Sequence, residues 1–568
     1  MEESANIKCE NIEPKTGARV LLDALVEEGV NIIFGYPGGA VLPIYDALID
    51  CPIRHVLPRH EQTAVHAADA YARVSGKPGV CLATSGPGAT NLVTGIATAY
   101  MDSIPMVIVT GQVPTNLLGT DSFQEVDITG ITLPITKHSY LVKDFKDIQR
   151  TVKEAFHIAA TGRPGPVLID ITKDVLLTAG EVKAQPVKVD LKSYKYFSKG
   201  NSGQIEEAAK ALAECQKAVV YAGGGIITSG AQVVLRELVE RANLPVVTTL
   251  MGIGSMPYGH PNLLGMVGMH GTVAANYTVD DCDLLIAVGV RFDDRVTSGL
   301  GHRFATKAKI IHIDIDPAEI GKVVRANIPI VGDALLVLKE LLNKVKPPEL
   351  SKWWEQIHEW QKQNPLLDQG RDRLTPQMIL EVMGELGGKD AVVATDVGQH
   401  QMWAAQYYPT STIRQFITSG GLGTMGFGLP AAIGAQFAAP DKLVFLVSGD
   451  GSLQMSIQEL ATLVQYKLPI KIILMDNGVL GLVRQLQRLF CEERYSQIQL
   501  NNNPDFIKIA DAYGILGIRV TSPEEVSDAI QKAIDYQGPV LIDFIISPDE
   551  IVLPMVPPGK VITEMVGR

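Results

Sequence analysis

The stretch Lys442-Leu443-Val444-Phe445-Leu446-Val447-Ser448-Gly449-Asp450-Gly451-Ser452, followed at Ile470-Lys471-Ile472-Ile473-Leu474-Met475 by Asp476-Asn477, decides the fold. Residues 442–448 form an apolar, β-branched run of the length of a buried strand, and residues 470–475 repeat the pattern. Residues 458–466, between them, carry the apolar spacing of an amphipathic helix. Strand, helix, strand makes a βαβ unit, and its parallel strands deliver whatever follows them to one edge of a sheet, where open sheets bind ligands. Here they deliver Asp450 and, 27 positions later, Asn477. Glycines on both sides of Asp450 would let the backbone close on a diphosphate. Magnesium takes hard oxygens and shares them with phosphate, so one carboxylate, one amide oxygen and one backbone carbonyl are a sufficient protein contribution.

Working outward, strands and helices alternate along the whole chain, which predicts an α/β protein of three doubly wound parallel-sheet domains. The first block, 16–180, runs from strands such as Val30-Asn31-Ile32-Ile33-Phe34 to Pro166-Val167-Leu168-Ile169-Asp170. Polar residues 181–203 read as a linker. The central block, 204–343, opens with Ala218-Val219-Val220-Tyr221-Ala222 and Gly223-Gly224-Gly225. A second linker, 344–373, is rich in Pro, Trp and charge; the third block, 374–548, holds the acid and amide above. An extension at 1–15 and a tail at 549–568 complete the division.

Composition narrows the function classes. With 568 residues, 46% hydrophobic content and a mean hydropathy of +0.14, the chain has ample material for several cores. A net charge of −12 argues against a general nucleic-acid or anionic-membrane binder. Cys9, Cys51, Cys81, Cys215, Cys282 and Cys491 contain no Cys-x-x-Cys pair, so neither a disulfide framework nor a zinc site is indicated. No apolar run reaches the ~18 residues of a membrane span, and residues 1–14 lack a signal-peptide core. The expected location is cytoplasmic.

Gly-Asp-Gly by itself is an ordinary strand-ending turn, but Gly-Asp-Gly-Ser followed by an apolar strand ending in Asp-Asn resembles the thiamine-diphosphate-binding motif of thiamine-dependent enzymes. Such enzymes need an activating carboxylate from another domain, and Pro58-Arg59-His60-Glu61-Gln62-Thr63-Ala64 offers Glu61. It stands where an extended stretch, 53–57, gives way to an alanine-rich helix over 63–71. A glutamate buried there would have its charged form penalised and could share a proton with a pyrimidine nitrogen; otherwise it is a helix-start acid favoured by the dipole.

In chain order, Tyr36-Pro37-Gly38-Gly39-Ala40, Arg59-His60-Glu61, Ser85-Gly86-Pro87-Gly88-Ala89-Thr90-Asn91, Gly162-Arg163-Pro164-Gly165, Gly268-Met269-His270-Gly271, Arg291-Phe292-Asp293-Asp294-Arg295, Gly420-Gly421-Leu422-Gly423-Thr424-Met425-Gly426 and Met555-Val556-Pro557-Pro558-Gly559 resemble the acetohydroxyacid synthase catalytic subunit over nearly the whole chain. The resemblance implies three cofactors: thiamine diphosphate, Mg²⁺ and FAD. It implies that Glu61 protonates the aminopyrimidine, that Gly38, Gly39 and Gln124 border the reacting carbon, and that Asn91 lies near the pyrimidine. Val397, Gly398, Gln399 and His400 would approach the cofactor, Gly423 and Leu482 would adjoin it, and Met425 would wedge it bent. Gly449, Asp450, Gly451, Ser452 and Asn477 would hold diphosphate and metal, with the carbonyl of Val479 completing the ligands.

The same resemblance places FAD on Arg163, Gly223, Gly224, Gly225, Thr249, Leu250, Met269, His270, Gly271, Gly289, Arg291, Asp293, Asp314, Ile315 and Asp333, with a structural or regulatory flavin. Arg295 would reach the carboxylate of the second keto acid, a task suited to a guanidinium fork. Phe123 and Lys173 would line the access channel. Taken singly, each has a plainer reading: a tight turn for the glycines, a core filler for Met425, a solvated ion cluster for 291–295.

The implied activity is that of an acetolactate synthase of branched-chain amino-acid biosynthesis. It decarboxylates pyruvate on thiamine diphosphate and ligates the hydroxyethyl unit to a second 2-oxo acid, giving 2-acetolactate from pyruvate or 2-aceto-2-hydroxybutyrate from 2-oxobutyrate. Because Glu61 and Asp450 lie in different blocks, the resemblance implies a site completed between two chains, hence a homodimer or dimer of dimers. A regulatory small subunit is compatible with it. The alternative is an FAD-dependent pyruvate oxidase, which shares the blocks but needs a redox-competent flavin. A flavin-free catabolic acetolactate synthase would lack the 291–295 run, and a non-catalytic scaffold would lack Glu61. One position departs from the family: Leu486 stands where tryptophan is usual.

Overall fold

The computed structural model of the chain describes residues 14–181, 189–366, 370 and 372–567. Most of the 1–15 extension with Cys9, residues 182–188 of the first expected linker, and residues 367–369 and 371 of the second lie outside the described residues. Two compact units are formed, one by the chain up to Ala68 with Pro78–Tyr194, the other by Asp69–Lys77 with the chain from Lys195 onward.

In the first unit, β1 (Lys15–Thr16) pairs antiparallel with β8 (Ala179–Gly180). Its main sheet is built from β2 (Ile32–Gly35), β3 (Arg54–Val56), β4 (Gly79–Ala83), β5 (Met106–Gln112), β6 (His138–Val142) and β7 (Pro166–Thr172), in the order β3-β2-β4-β5-β7-β6. All its pairings are parallel. Strands β2, β4, β5 and β7 are buried along their whole length, the condition under which strand sequences read as continuous apolar runs rather than alternating ones.

The second unit contains two more six-stranded parallel sheets. One comprises β9 (Ala218–Ala222), β10 (Val246–Thr248), β11 (Leu263–Met266), β12 (Leu284–Val288), β13 (Lys309–Asp314) and β14 (Ile328–Val331), in the order β11-β10-β9-β12-β13-β14. Numbered within the sheet this is 3-2-1-4-5-6, the order of dinucleotide-binding sheets. The other comprises β15 (Val392–Thr395), β16 (Phe416–Ile417), β17 (Val444–Gly449), β18 (Lys471–Asp476), β19 (Leu516–Val520) and β20 (Val540–Ile545), ordered β16-β15-β17-β18-β20-β19. That is 2-1-3-4-6-5, the order of the main sheet of the first unit, so one topology occurs twice in the chain although no short-period repeat is visible in the sequence.

The deciding stretch folds as read, as strand β17, a short 3₁₀ turn at Ile457–Glu459, a helix at Leu460–Tyr466, and strand β18. One expectation needs correction. The second linker is largely a helix, Ser351–Gln363, whose Trp353, Trp354 and Ile357 are buried in the central core. The two indoles donate to the carbonyls of Ala218 (3.0 Å) and Asn243 (2.8 Å), so their apolar rings are buried with no polar atom stranded. The tail is packed: Val552, Met555, Val556, Ile562 and Met565 are buried, and Asn276 donates to the carbonyl of Ile562 at 3.1 Å.

Candidate active site

An open parallel sheet binds ligands where the strand order reverses, because the connections leaving two adjacent strands diverge to opposite faces and open a crevice. Each of the three sheets has its glycine-rich residues at that point.

In the third sheet the reversal lies between β15 and β17. After β15 come Val397 and Gly398 and then Gln399 and His400, the first residues of the helix Gln399–Tyr407; after β17 the short helix Asp450–Leu453 carries Asp450, Gly451 and Ser452. Together with Met425, Gly449, Asn477, Val479 and Leu482 they line one cleft, which brings together nearly all the residues predicted for thiamine diphosphate and magnesium. Gly423 lies beside it, 3.9 Å from the Val397 side chain by its would-be Cβ. Leu480, Gly481, Val483, Trp403 and Met475 complete the lining, and Leu486 is not part of it.

The cleft is built for a ligand. The His400 ring is held between two glycines: a Cβ on Gly398 or Gly449 would come within 2.8 or 2.9 Å of it. Burial pushes the His400 imidazole down to about 3, so the ring is neutral, and its Nε2 has no hydrogen-bond partner among the described residues. Gln399 Oε1 is likewise buried and unpaired, with its Nε2 donating to Gln485 Oε1 (3.0 Å) and the Glu550 carbonyl (2.9 Å). A buried polar atom without a partner calls for one, and where it lines a cleft a ligand can supply it. Asp450 points the same way: burial and the neighbouring carboxylate of Asp476 push it up to about 7, a cost that a bound cation would relieve. Glycine cradle, unpaired donors and acceptors, and a hard-oxygen set thus fit a magnesium diphosphate group.

Several residues of this site escaped the sequence reading. Asp396 is fully buried and accepts from the amides of Val397 (2.9 Å), Gly426 (2.8 Å) and Gly428 (3.2 Å), which ties the segment leading to His400 to the one that carries Met425. Asn503 and Asp476 both stand at Asp450. The signal for Asp396 was present, an acid directly after an apolar strand and before a glycine turn; Asn503 comes from a distant loop and had none.

In the first unit the reversal lies between β2 and β4, and there Thr84 fills the space that a Cβ on Gly38 would need, 2.4 Å away. Thr84 Oγ1 accepts from the Ala40 amide at 3.2 Å. Gly88 packs against the same Thr84 methyl and against Glu61 Oε1. Glu61 opens the helix Glu61–Ser75; it is half-buried rather than buried, and Asn91 Nδ2 donates to its Oε2 at 3.0 Å. Gln124 joins this edge, its backbone in the left-handed region (φ 61°) against Gly86. Gly39 has open space around it, Phe123 beside Gln124 is 88% exposed, and half-buried Lys173 opens the short helix after β7. Arg163 precedes β7 and donates to Ser103 Oγ (2.8 Å), so it stands at the opposite, amino-terminal edge of this sheet.

In the central sheet the reversal lies between β9 and β12, and there the backbones of Gly225 and Gly289 approach so closely that a Cβ on Gly225 would lie 2.6 Å from the Gly289 Cα. Gly223, Gly224, Thr249, Leu250, Met269, His270, Gly271, Arg291, Asp293, Asp314, Ile315 and Asp333 all lie at or just beyond carboxyl ends of the six strands. Thr249 Oγ1 and His270 Nδ1 are buried and unpaired among the described residues, which suits a nucleotide ligand. Asp293, Asp314 and Asp333 each also serve a local backbone turn or helix cap. Arg295 is exposed, with Nη1 3.7 Å from Met269 Sδ. The tail returns to this edge, where the Val556 amide donates to the Met269 carbonyl at 2.8 Å and Gln406 Nε2 to that of His270 at 3.1 Å.

Three thiamine pyrophosphate enzyme families match the chain: the N-terminal TPP binding domain over residues 15–131, the central domain over 205–341 and the C-terminal TPP binding domain over 396–544. A probable acetolactate synthase large subunit of Methanocaldococcus jannaschii is 52% identical over 97% of this chain and 95% of its own length. The acetolactate synthase isozyme 3 large subunit of Escherichia coli is 48% identical over 98% and 99%. An acetolactate synthase of Mycobacterium bovis is 51% identical over 96% and 91%. No helix among the described residues is long and apolar enough to cross a membrane. With its three sheets each presenting a site at the reversal point, and with identity near one half along almost its full length, the chain belongs to the acetolactate synthase large-subunit family of thiamine pyrophosphate enzymes.

Proposed function

We propose that the chain joins the two-carbon unit of pyruvate to a second 2-oxo acid, forming 2-acetolactate or 2-aceto-2-hydroxybutyrate for branched-chain amino-acid synthesis, with thiamine diphosphate, Mg²⁺ and FAD as its cofactors. The observation that carries this reading is the cleft between β15 and β17, where Asp450, Asn477 and the glycine cradle around His400 converge. When bound, thiamine diphosphate supplies the carbanion chemistry. The chain supplies placement and proton management. Asp450, Asn477 and the Val479 carbonyl would hold the metal, Gly449, Gly451 and Ser452 would close on diphosphate, and Met425 would support the ring system. Glu61, steadied by Asn91, would hold a proton against the pyrimidine, with Gly38, Gly39 and Gln124 around the reacting carbon.

Two copies of the chain would pair so that Glu61 of one copy serves the Asp450 cleft of the other, with Phe123 and Lys173 at the channel rim and Arg295 gripping the acceptor carboxylate. The exposure of Phe123 and Arg295 in the isolated chain supports this. A regulatory small subunit is part of the proposal, suggested by relatives named large subunits. The central sheet would hold FAD.

Carboligation involves no net oxidation, so the flavin is expected to stay oxidised throughout turnover. Absorbance followed anaerobically during pyruvate consumption tests this. Stoichiometric flavin bleaching at the turnover rate would favour the pyruvate oxidase reading, and a colourless protein without FAD-dependent activity would remove FAD from the central sheet.

Leu486 lies half-buried on the helix Gly481–Phe490, whose Leu482 and Val483 line the cleft. The resemblance implies an indole here that would wall the acceptor's side chain; leucine offers less surface, and one methylene in an apolar pocket is worth only ~1–3 kcal/mol of discrimination. The chain should therefore favour 2-oxobutyrate less than typical relatives and bind channel-blocking inhibitors poorly. Leu486→Trp should raise the 2-aceto-2-hydroxybutyrate share in competition with pyruvate and tighten such inhibitors; no change in either would make Leu486 mere packing.

A further inference from the structure

Asp450 has two carboxylate oxygens, and the chain treats them differently. Asn503 Nδ2 donates to Oδ2 at 2.5 Å and the Gly478 amide donates to the same oxygen at 3.1 Å. Oδ2 thereby takes both donors, the Gly478 amide being shared with Asp476 Oδ1 at 3.2 Å, and Oδ1 is left as the better-placed oxygen for a cation. The Asn503 amide is itself oriented. Its Oδ1 accepts from Gln454 Nε2 at 3.2 Å, and that same nitrogen donates to the Asp450 carbonyl at 3.0 Å. This fixes which end of the Asn503 amide faces the acids, and Nδ2 also lies 3.4 Å from Asp476 Oδ1.

We propose that Asn503 is a positioning residue that makes Asp450 a one-oxygen ligand and so tunes the site toward magnesium and away from calcium. Magnesium demands a near-octahedral shell with short bonds to single oxygens, whereas calcium accepts carboxylates through both oxygens and more ligands in all. Holding Oδ2 in hydrogen bonds therefore costs a magnesium complex nothing and denies calcium its second contact. Partners of this kind around a metal ligand typically change affinity by about 10–100-fold when removed. The inference rests on the reading of Asp450 as the magnesium ligand.

The test is calorimetric titration of the full-length protein with Mg²⁺ and, separately, Ca²⁺, each with saturating thiamine diphosphate. Asn503→Leu keeps the side chain's size and removes its amide. It should weaken Mg²⁺ about tenfold or more while leaving Ca²⁺ unchanged or tighter, so that the Mg²⁺ preference falls by at least that factor. Gln454→Leu, at an exposed position, removes only the group that orients the amide and should shift the ratio in the same direction by less. Equal losses for both cations, or a ratio unchanged in both variants, would overturn the proposal while leaving the cofactor assignment standing. A wild-type protein that takes up neither cation would overturn both.

Discussion

Glu61→Gln is expected to lose about a hundred- to ten-thousandfold in turnover, the usual worth of a positioned acid–base group, while still folding and binding thiamine diphosphate. The glutamine has the size of the glutamate and retains an oxygen to accept from Asn91, so the contacts among Gly38, Thr84, Gly88 and Asn91 survive. What it cannot do is exchange a proton with a pyrimidine nitrogen. Deuterium exchange at C2 of the bound cofactor isolates that step from the rest of the cycle, and calorimetry reports binding independently. Slow exchange with near-normal affinity is the expected pair of results. Exchange at the wild-type rate in the glutamine variant would sink the assignment of Glu61.

Asp450→Ala should weaken magnesium and thiamine diphosphate together, by about a hundredfold or more, equivalent to roughly 2.7 kcal/mol, because one ion bridges the protein and the diphosphate. The variant loses the carboxylate, and the donors of Asn503 and Gly478 are left with only the longer contacts to Asp476 Oδ1, at 3.4 and 3.2 Å. The paired loss is what identifies a bridging metal. A variant that lost affinity for the organic cofactor but bound magnesium normally would point to a hydrogen-bonding role for Asp450, and unchanged affinity for both would refute the ligand assignment. Chelation of the wild type should release both cofactor components in the same concert.

Much of this architecture is legible in the sequence because fully buried parallel strands must be continuous apolar runs, and residues such as 218–222 and 284–288 leave little choice. Strand ends are also legible: glycines and acids placed directly after those runs are the residues that reach the reversal points. Features that depend on tertiary partners are not. The helix Ser351–Gln363 hides in a segment of Pro, Trp and charge, since only three of its residues are buried and the rest read as a solvated linker. Asn503 reaches Asp450 across 53 positions, and no local pattern announces it. Asp396 is legible by half: an acid between an apolar strand and a glycine turn marks its place, but its bonds to the distant amides of Gly426 and Gly428 have no local pattern.

The central claim, that the chain is a carboligase using a thiamine cofactor at the Asp450 cleft, is most directly tested by analysing products from pyruvate with thiamine diphosphate, Mg²⁺ and FAD, alone and with 2-oxobutyrate. The account predicts 2-acetolactate in the first case and added 2-aceto-2-hydroxybutyrate in the second, with one carbon dioxide released per product. Acetate or acetyl phosphate formed with reduction of flavin, or acetaldehyde as the sole product, would contradict it.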